Sequence, residues 1–196
     1  MIVILDYGMG NLRSVQKAVE FLGYECRVQA GLSGASKVVL PGVGAFGAAM
    51  EKLSPYSEDI RRFVSDGGSL LGICLGQQLL FESSEEHGGA EGLGILQGHV
   101  RYLQPHPGNK VPNVGWSKIA PKSDSRLLAG TSCDDQVYFV HSLFSDCRDS
   151  SDVAATSEHS ITFPAAIERA NVWATQFHPE KSGKVGLRIL RNFLEC

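Results

Sequence analysis

The sequence has no long apolar run. Its first hydrophobic stretch, Ile2 to Leu5, is halted by Asp6, too soon for the core of a signal peptide or a membrane span. A soluble, cytoplasmic protein is therefore expected. A cysteine framework is missing too: Cys26, Cys74, Cys133, Cys147 and Cys196 form an odd set without a C-x-x-C pair. That pattern indicates neither a disulfide scaffold nor a zinc knuckle and fits a reducing compartment. Nor is there an excess of basic charge, with 18 basic residues scattered among 21 acidic ones for a net charge of −3. No nucleic-acid partner is expected. Repeats and low-complexity tracts are absent as well. The 196 residues, 43% hydrophobic, read as one domain, 1–196, long enough to bury a full core.

What is there alternates. Strand-like runs at Ile2 to Leu5, Tyr24 to Gln29 and Lys37 to Leu40 are joined in part by a helical pattern from Asn11 to Leu22. In that pattern Leu12, Val15, Val19 and Leu22 recur at three and four residues, Asn11 can cap the start, and Gly23 follows the end. A helix from Ser57 to Ser65 precedes an apolar strand, Ser69 to Ile73, and a helix is expected from Leu75 to Phe81. The second half carries strand patterns at Gly98 to Leu103, Gly115 to Ala120, Gln136 to Ser142, Val153 to Thr156, Ala165 to Glu168 and Val172 to Phe177. These should extend or cover the main sheet, with Ser145 to Asp152 a solvated connection. A last helix, Gly183 to Leu194, carries a stripe of Leu187, Leu190 and Leu194. The expected fold class is α/β, three layers, with a mainly parallel central sheet and helices on both faces.

The segment GICLG, Gly72 to Gly76, places Cys74 where the strand should turn sharply into the helix. Residues without a β-carbon on either side let the backbone crowd itself and push one side chain outward, the layout of a nucleophile elbow. A second segment, FHPEKS, brings His178 and Glu180 to the end of the Val172 to Phe177 run. Residues i and i+2 of an extended chain share a face, so Glu180 can orient His178 and leave its other nitrogen for the thiol. Ionising a free thiol fully gains only about 2 kcal/mol at neutral pH, whereas one oxyanion donor contributes about 3 to 4 kcal/mol. The turn Pro41-Gly42-Val43-Gly44 after Val38 to Leu40 can supply one, and the backbone N–H groups of Val43 and Leu75 are the expected hole. Replacing Gly42 with Val should then abolish turnover with little effect on Cys74 labelling.

Other signals are weaker. Gly8-Met9-Gly10 lies between strand and helix, but Arg13 stands where a dinucleotide fingerprint needs its third glycine, so a tight turn is expected and no cofactor. His178 and Glu180 imitate the H-x-E of zinc deaminases without the accompanying P-C-x-x-C, so no metal is expected. His141 shares a strand face with Val137 and Phe139 and reads as packing. Gln78, one turn after Cys74, can reach a polar substrate beside the thiol. Glu86 fits a solvated helix end on pattern alone, and Trp116 suits either a core or an interface.

The PGVG loop, GICLG and FHPE resemble the class I glutamine amidotransferases. More narrowly, DYGMGN at Asp6 to Asn11, LPGVGAF at Leu40 to Phe46, GICLGQQLLFESSEE at Gly72 to Glu86, YFVHS at Tyr138 to Ser142 and QFHPEKS at Gln176 to Ser182 resemble the glutaminase subunits of imidazole glycerol phosphate synthases, to which DYGMGN and HPEKS point in particular. The resemblance implies hydrolysis of L-glutamine to glutamate and ammonia through a Cys74 thioester, with His178 moving the proton and Glu180 orienting it. By the same resemblance Gly44, Gln78, Glu86, Ser142 and Leu143 would hold glutamine. The implied partner is a (β/α)₈ cyclase subunit, forming a heterodimer, with Asn11, Trp116 and Lys181 at the contact. The chain departs from the family pattern at Asn113-Val114, where His-Met is usual, and at Leu143, where Tyr is usual. A cysteine hydrolase on the same elbow, a glutaminase serving another ammonia acceptor, and a catalytically silent binding module are the alternatives.

Overall fold

The computed structural model describes residues 1–196. In chain order its elements are β1 (Ile2–Leu5), α1 (Leu12–Phe21), β2 (Cys26–Gln29), β3 (Lys37–Gly42), α2 (Phe46–Leu53), α3 (Ser57–Ser65), β4 (Ser69–Cys74), α4 (Leu75–Leu79), β5 (Ser83–Ser84), β6 (Ala90–Glu91) and β7 (Gly98–Tyr102). There follow β8 (Asn113–Lys118), β9 (Ala120–Pro121), β10 (Gln136–His141), β11 (Leu143–Cys147), β12 (Val153–Glu158), β13 (Thr162–Arg169), β14 (Val172–Thr175) and α5 (Gly183–Glu195). One eight-stranded sheet runs in the order β2-β1-β3-β4-β14-β13-β12-β9. Strands β2, β1, β3, β4 and β14 are parallel, and β13, β12 and β9 continue the sheet antiparallel.

The period of two along each central strand divides the core between two faces. Ile2, Ile4, Val39, Leu71 and Ile73 point to the side covered by α1 and α5, where they meet Val15, Val19, Ile189 and Phe193. Val3, Leu5, Val38, Leu40 and Leu70 point to the other side and pack with Phe46, Ala49 and Leu53 of α2, Ile60 of α3, and Leu75 and Leu79 of α4. The expected three layers are thus present. Asn11 caps α1 as expected, its side chain accepting from Ser14 N–H at 3.4 Å.

The differences lie in the second half, in one helix of the first half, and at boundaries. Strands β8 and β10 leave the main sheet and pair with each other, and β11, β7, β5 and β6 form a further small sheet. The segment from Ser145, expected to be a solvated loop, begins inside β11: Ser145 is fully buried and receives a hydrogen bond from Gln77. Helix α2 has no counterpart in the sequence reading. On α5 the buried stripe is Gly186, Ile189, Leu190, Phe193 and Leu194, with Leu187 at its half-buried margin. Helix α4 is shorter than expected, closing after Leu79 as Leu80 and Phe81 bond back to Gln77 and Gln78.

Candidate active site

Strand β4 delivers Cys74 to the C-terminal edge of the sheet, and the chain turns there at once into α4. Cys74 itself takes φ 56° and ψ −112°, left-handed backbone that only a tightly determined surrounding holds in a non-glycine residue. Its flanking glycines are needed for close approach. A Cβ on Gly76 would lie 1.8 Å from the Leu40 carbonyl oxygen of β3, and one on Gly72 would lie 2.7 Å from the carbonyl oxygen of Gly76. The elbow is therefore folded against itself and against β3. Cys74 lines a cleft of about 390 Å³ together with His178, Val43, Gly44, Leu75, Gln78, Glu86, His141, Ser142 and Leu143. A wider groove of about 690 Å³ along the β2 edge contains none of these residues.

His178 enters the cleft just after β14. The i, i+2 geometry expected of an extended chain is replaced by a 3-10 turn, Pro179–Lys181, which still brings Glu180 Oε1 to 2.8 Å from His178 Nδ1. Both side chains are shielded from water, at 3% and 1% exposure. The other imidazole nitrogen, Nε2, is buried without a hydrogen-bond partner in the chain. Burial opposes charge on this ring, yet the Cys74 sulfur and the Glu180 carboxylate outweigh it and carry the His178 pKa up to about 9. An imidazolium beside the sulfur is the form favoured at neutral pH.

The loop after β3 lies directly beside the elbow, since Gly42 pairs with Cys74 across adjacent parallel strands. Val43 and Leu75 both line the cleft, and Val43 N–H makes no hydrogen bond within the chain. Beneath this loop the buried Tyr7 hydroxyl donates to the Pro41 carbonyl at 3.0 Å. Sequence reading did not single out Tyr7, although it lies within the DYGMGN turn. Glu86 is more than a solvated helix end: its side chain is 13% exposed and its Oε2 accepts from Phe46 N–H at the start of α2, an end that no side chain of its own caps. It thereby ties the cleft rim to the segment that follows Gly44.

Gln78 is buried, and its amide nitrogen donates to the Leu143 carbonyl at 3.1 Å and to Gln176 Oε1 at 2.9 Å. Gln176, fully buried, was also passed over. Its Nε2 lies 3.8 Å from Cys74 Sγ, and the available signal was its place two residues before His178. His141 packs with Phe139 and Phe163 as expected. Its Nδ1–H donates to the Leu143 carbonyl at 2.8 Å, and its Nε2 accepts from Asn113 Nδ2 at 3.0 Å. Burial pushes its pKa down to about 4, so this ring is neutral.

Strands β8 and β10 turn Val114 and Trp116 to solvent, and Val140, also exposed, lines the cleft rim, its carbonyl 3.9 Å from Cys74 Sγ. Trp116 is 53% exposed and stacks edge-on to Tyr138 at 6.1 Å, so it is not a core anchor. Lys181 Nζ sits 5.8 Å from the Tyr138 ring centroid, and α1, capped by exposed Asn11, packs beside the turn that carries Lys181.

Comparison with known proteins bears on the family and the fold. The family model "Glutamine amidotransferase class-I" matches residues 3–196. The chain is 50% identical to the imidazole glycerol phosphate synthase subunit HisH of Syntrophotalea carbinolica, over 98% of each chain. It is 46% identical to the subunit of the same name from Chlorobium luteolum, over 100% of each. Among solved structures it is similar in fold to one titled as a glutamine amidotransferase, with a TM-score of 0.77 at 20% identity over 99% of this chain and 97% of that one. It is likewise similar to PurLQS from Thermotoga maritima, with a TM-score of 0.74 at 19% identity over 99% and 96% of the two chains.

Proposed function

The chain belongs to the class I glutamine amidotransferase family, and from that premise we propose that it is the glutaminase subunit of an imidazole glycerol phosphate synthase. The observation that carries the reading is the strained Cys74 sharing its cleft with an imidazole whose far nitrogen is held by a buried carboxylate.

Cys74 attacks the side-chain amide carbon of L-glutamine as a thiolate. The charge that develops on the amide oxygen is met by the N–H groups of Val43 and Leu75. As the carbon–nitrogen bond breaks, His178 gives its proton to the departing ammonia, leaving a thioester. The imidazole, held by Glu180, then takes a proton from water as the water attacks, and glutamate departs while the sulfur is released. Glu86, Gln78, Gly44, Ser142 and Leu143 line the cleft where the amino-acid end of glutamine would lie. No cofactor or metal is needed for these steps.

Ammonia released into neutral water is protonated and ceases to be a nucleophile, so an enclosed route to an acceptor is favoured. The acceptor is a cyclase subunit, docked as a heterodimer over Asn11, Trp116 and Lys181, which uses the ammonia to make imidazole glycerol phosphate and an aminoimidazole carboxamide ribotide in histidine biosynthesis. No helix of the chain is long and apolar enough to cross a membrane, and a cytoplasmic setting suits the proposed soluble substrates.

The test is ammonia release from glutamine with and without the cyclase and its ligand. Low release alone and strong stimulation by the loaded cyclase are expected. Full activity without a partner would contradict the coupling, and none with it would favour a silent binding module. Glutamine consumption by a Cys74→Ala variant would remove Cys74 from the reaction.

A further inference from the structure

We propose that the side-chain amide of Gln176 is a hydrogen-bond donor to the Cys74 sulfur, fixed in that sense by Gln78, and that it stabilises the thiolate at both ends of the catalytic cycle. The inference rests on Cys74 being the nucleophile and adds a second group that acts on its sulfur.

The two ends of a carboxamide have the same shape, so partners decide which end faces where. The polarity here starts at the Leu143 carbonyl, which can only accept. One end of the Gln78 amide lies 3.1 Å from that oxygen and must be its NH₂ group. The same NH₂ group is 2.9 Å from Gln176, which must therefore present its oxygen. The remaining end of the Gln176 amide, 3.8 Å from Cys74 Sγ, is then obliged to be NH₂. The Leu143 carbonyl is itself held, since it also accepts from His141 Nδ1 at 2.8 Å while Asn113 fixes the other nitrogen of that ring. Sulfur is thus given a donor by a chain of hydrogen bonds whose sense cannot reverse.

A fully buried donor favours a sulfur anion over a thiol, because a thiol gains little from it. Its usefulness differs from that of His178. The imidazole surrenders its proton to ammonia during the first half of the cycle, so it is neutral when the thioester forms. The Gln176 amide carries no proton that is lost at neutral pH. When water attacks and the carbon–sulfur bond breaks, the departing thiolate again meets an N–H donor, whatever the state of His178.

The experiment follows iodoacetamide alkylation of Cys74 against pH in the full-length protein, with thermal melting as the check on folding. Gln176→Met keeps the length of the side chain and removes the donor. Its alkylation should be about tenfold slower at neutral pH, the effect of losing one hydrogen bond to a charged group, and should converge with the parent at high pH. Gln78→Met, which frees the Gln176 amide to turn, should move the profile in the same direction by less. The titratable groups around the sulfur are His178 with Glu180 behind it, Tyr7 beneath the elbow, Glu86 on the cleft wall and neutral His141. Both substitutions leave all five in place. In the parent protein, the Gln176 side-chain amide resonances should shift in step with the ionisation of Cys74, a measurement that needs no variant to fold. A folded Gln176→Met protein whose alkylation profile overlays the parent's, or amide resonances that ignore the Cys74 titration, would overturn the proposal. Because alkylation is read without glutamine, failure here is separable from failure of the glutaminase assignment.

Discussion

An imidazole in an unfolded chain titrates at about 6.5. In the fold, burial would lower that value, but the Cys74 sulfur and Glu180 raise His178 to about 9. The sign of the linkage follows. The pair contributes its full stabilisation below about pH 6.5 and loses it progressively as the pH rises through about 9. The melting temperature should therefore fall between pH 6.5 and 9.5, and it should fall less in a Glu180→Gln variant, which lacks part of the upward shift. An equal fall in both would place the alkaline transition on other groups. The same variant should lose roughly 10²- to 10⁴-fold in glutamine turnover, because an orienting amide permits the wrong tautomer; a loss below about tenfold would demote Glu180. Cys74, His178 and Glu180 were legible in the sequence because each sits in a short local motif whose chemistry is carried by near neighbours. Gln176 and Tyr7 were not, since what gives them a role is a contact with Leu143, Gln78 or Pro41, distant along the chain.

Elements were legible where a single periodicity dominated. The apolar runs of β1, β3 and β4 and the amphipathic pattern of α1 can be read directly, and they fix the parallel half of the sheet. Strand β11 escaped because its polar residues are satisfied by partners elsewhere: Ser145 by Gln77, and Asp146 by Arg101 at 2.7 Å. Helix α2 escaped because Phe46–Leu53 is only eight residues long, has Gly47 after its first residue, and has no side-chain cap of its own. The packing of β3 against the elbow also changes one expectation. A Cβ on Gly42 would lie 2.8 Å from the Tyr7 hydroxyl and 2.9 Å from both Gly76 N and Leu75 Cβ. Gly42→Val must therefore displace the elbow, and labelling of Cys74 should fall along with turnover. Tyr7→Phe separates the two better. It removes the anchor of the Pro41 carbonyl without adding bulk, a loss of about 1 kcal/mol, and should slow turnover about fivefold as the Val43 amide is less well placed. Alkylation of Cys74 should stay within about twofold of the parent, and an equal fall in both rates would show that the hydroxyl supports the elbow rather than the loop.

At the scale of the molecule, the sheet's C-terminal edge is covered on one side by β8 and β10, which divide their residues sharply. Asn113, Val137, Phe139 and His141 turn inward to the cleft and core, while Val114 and Trp116 turn outward. The exposed apolar side chains of this outer face, on a ribbon whose inner face holds Asn113 and His141, suit the proposed docking of the cyclase. Its aromatic centre and the cation of Lys181 beside Tyr138 fit the make-up of binding hot spots. If the cyclase docks there, Trp116→Ala should weaken its affinity about thirtyfold, by roughly 2 kcal/mol, in a calorimetric titration. The melting temperature of the free subunit should hardly move, since Trp116 is already 53% exposed to solvent. Unchanged affinity in a folded variant would send the partner to another face, and with it the route by which ammonia leaves the cleft.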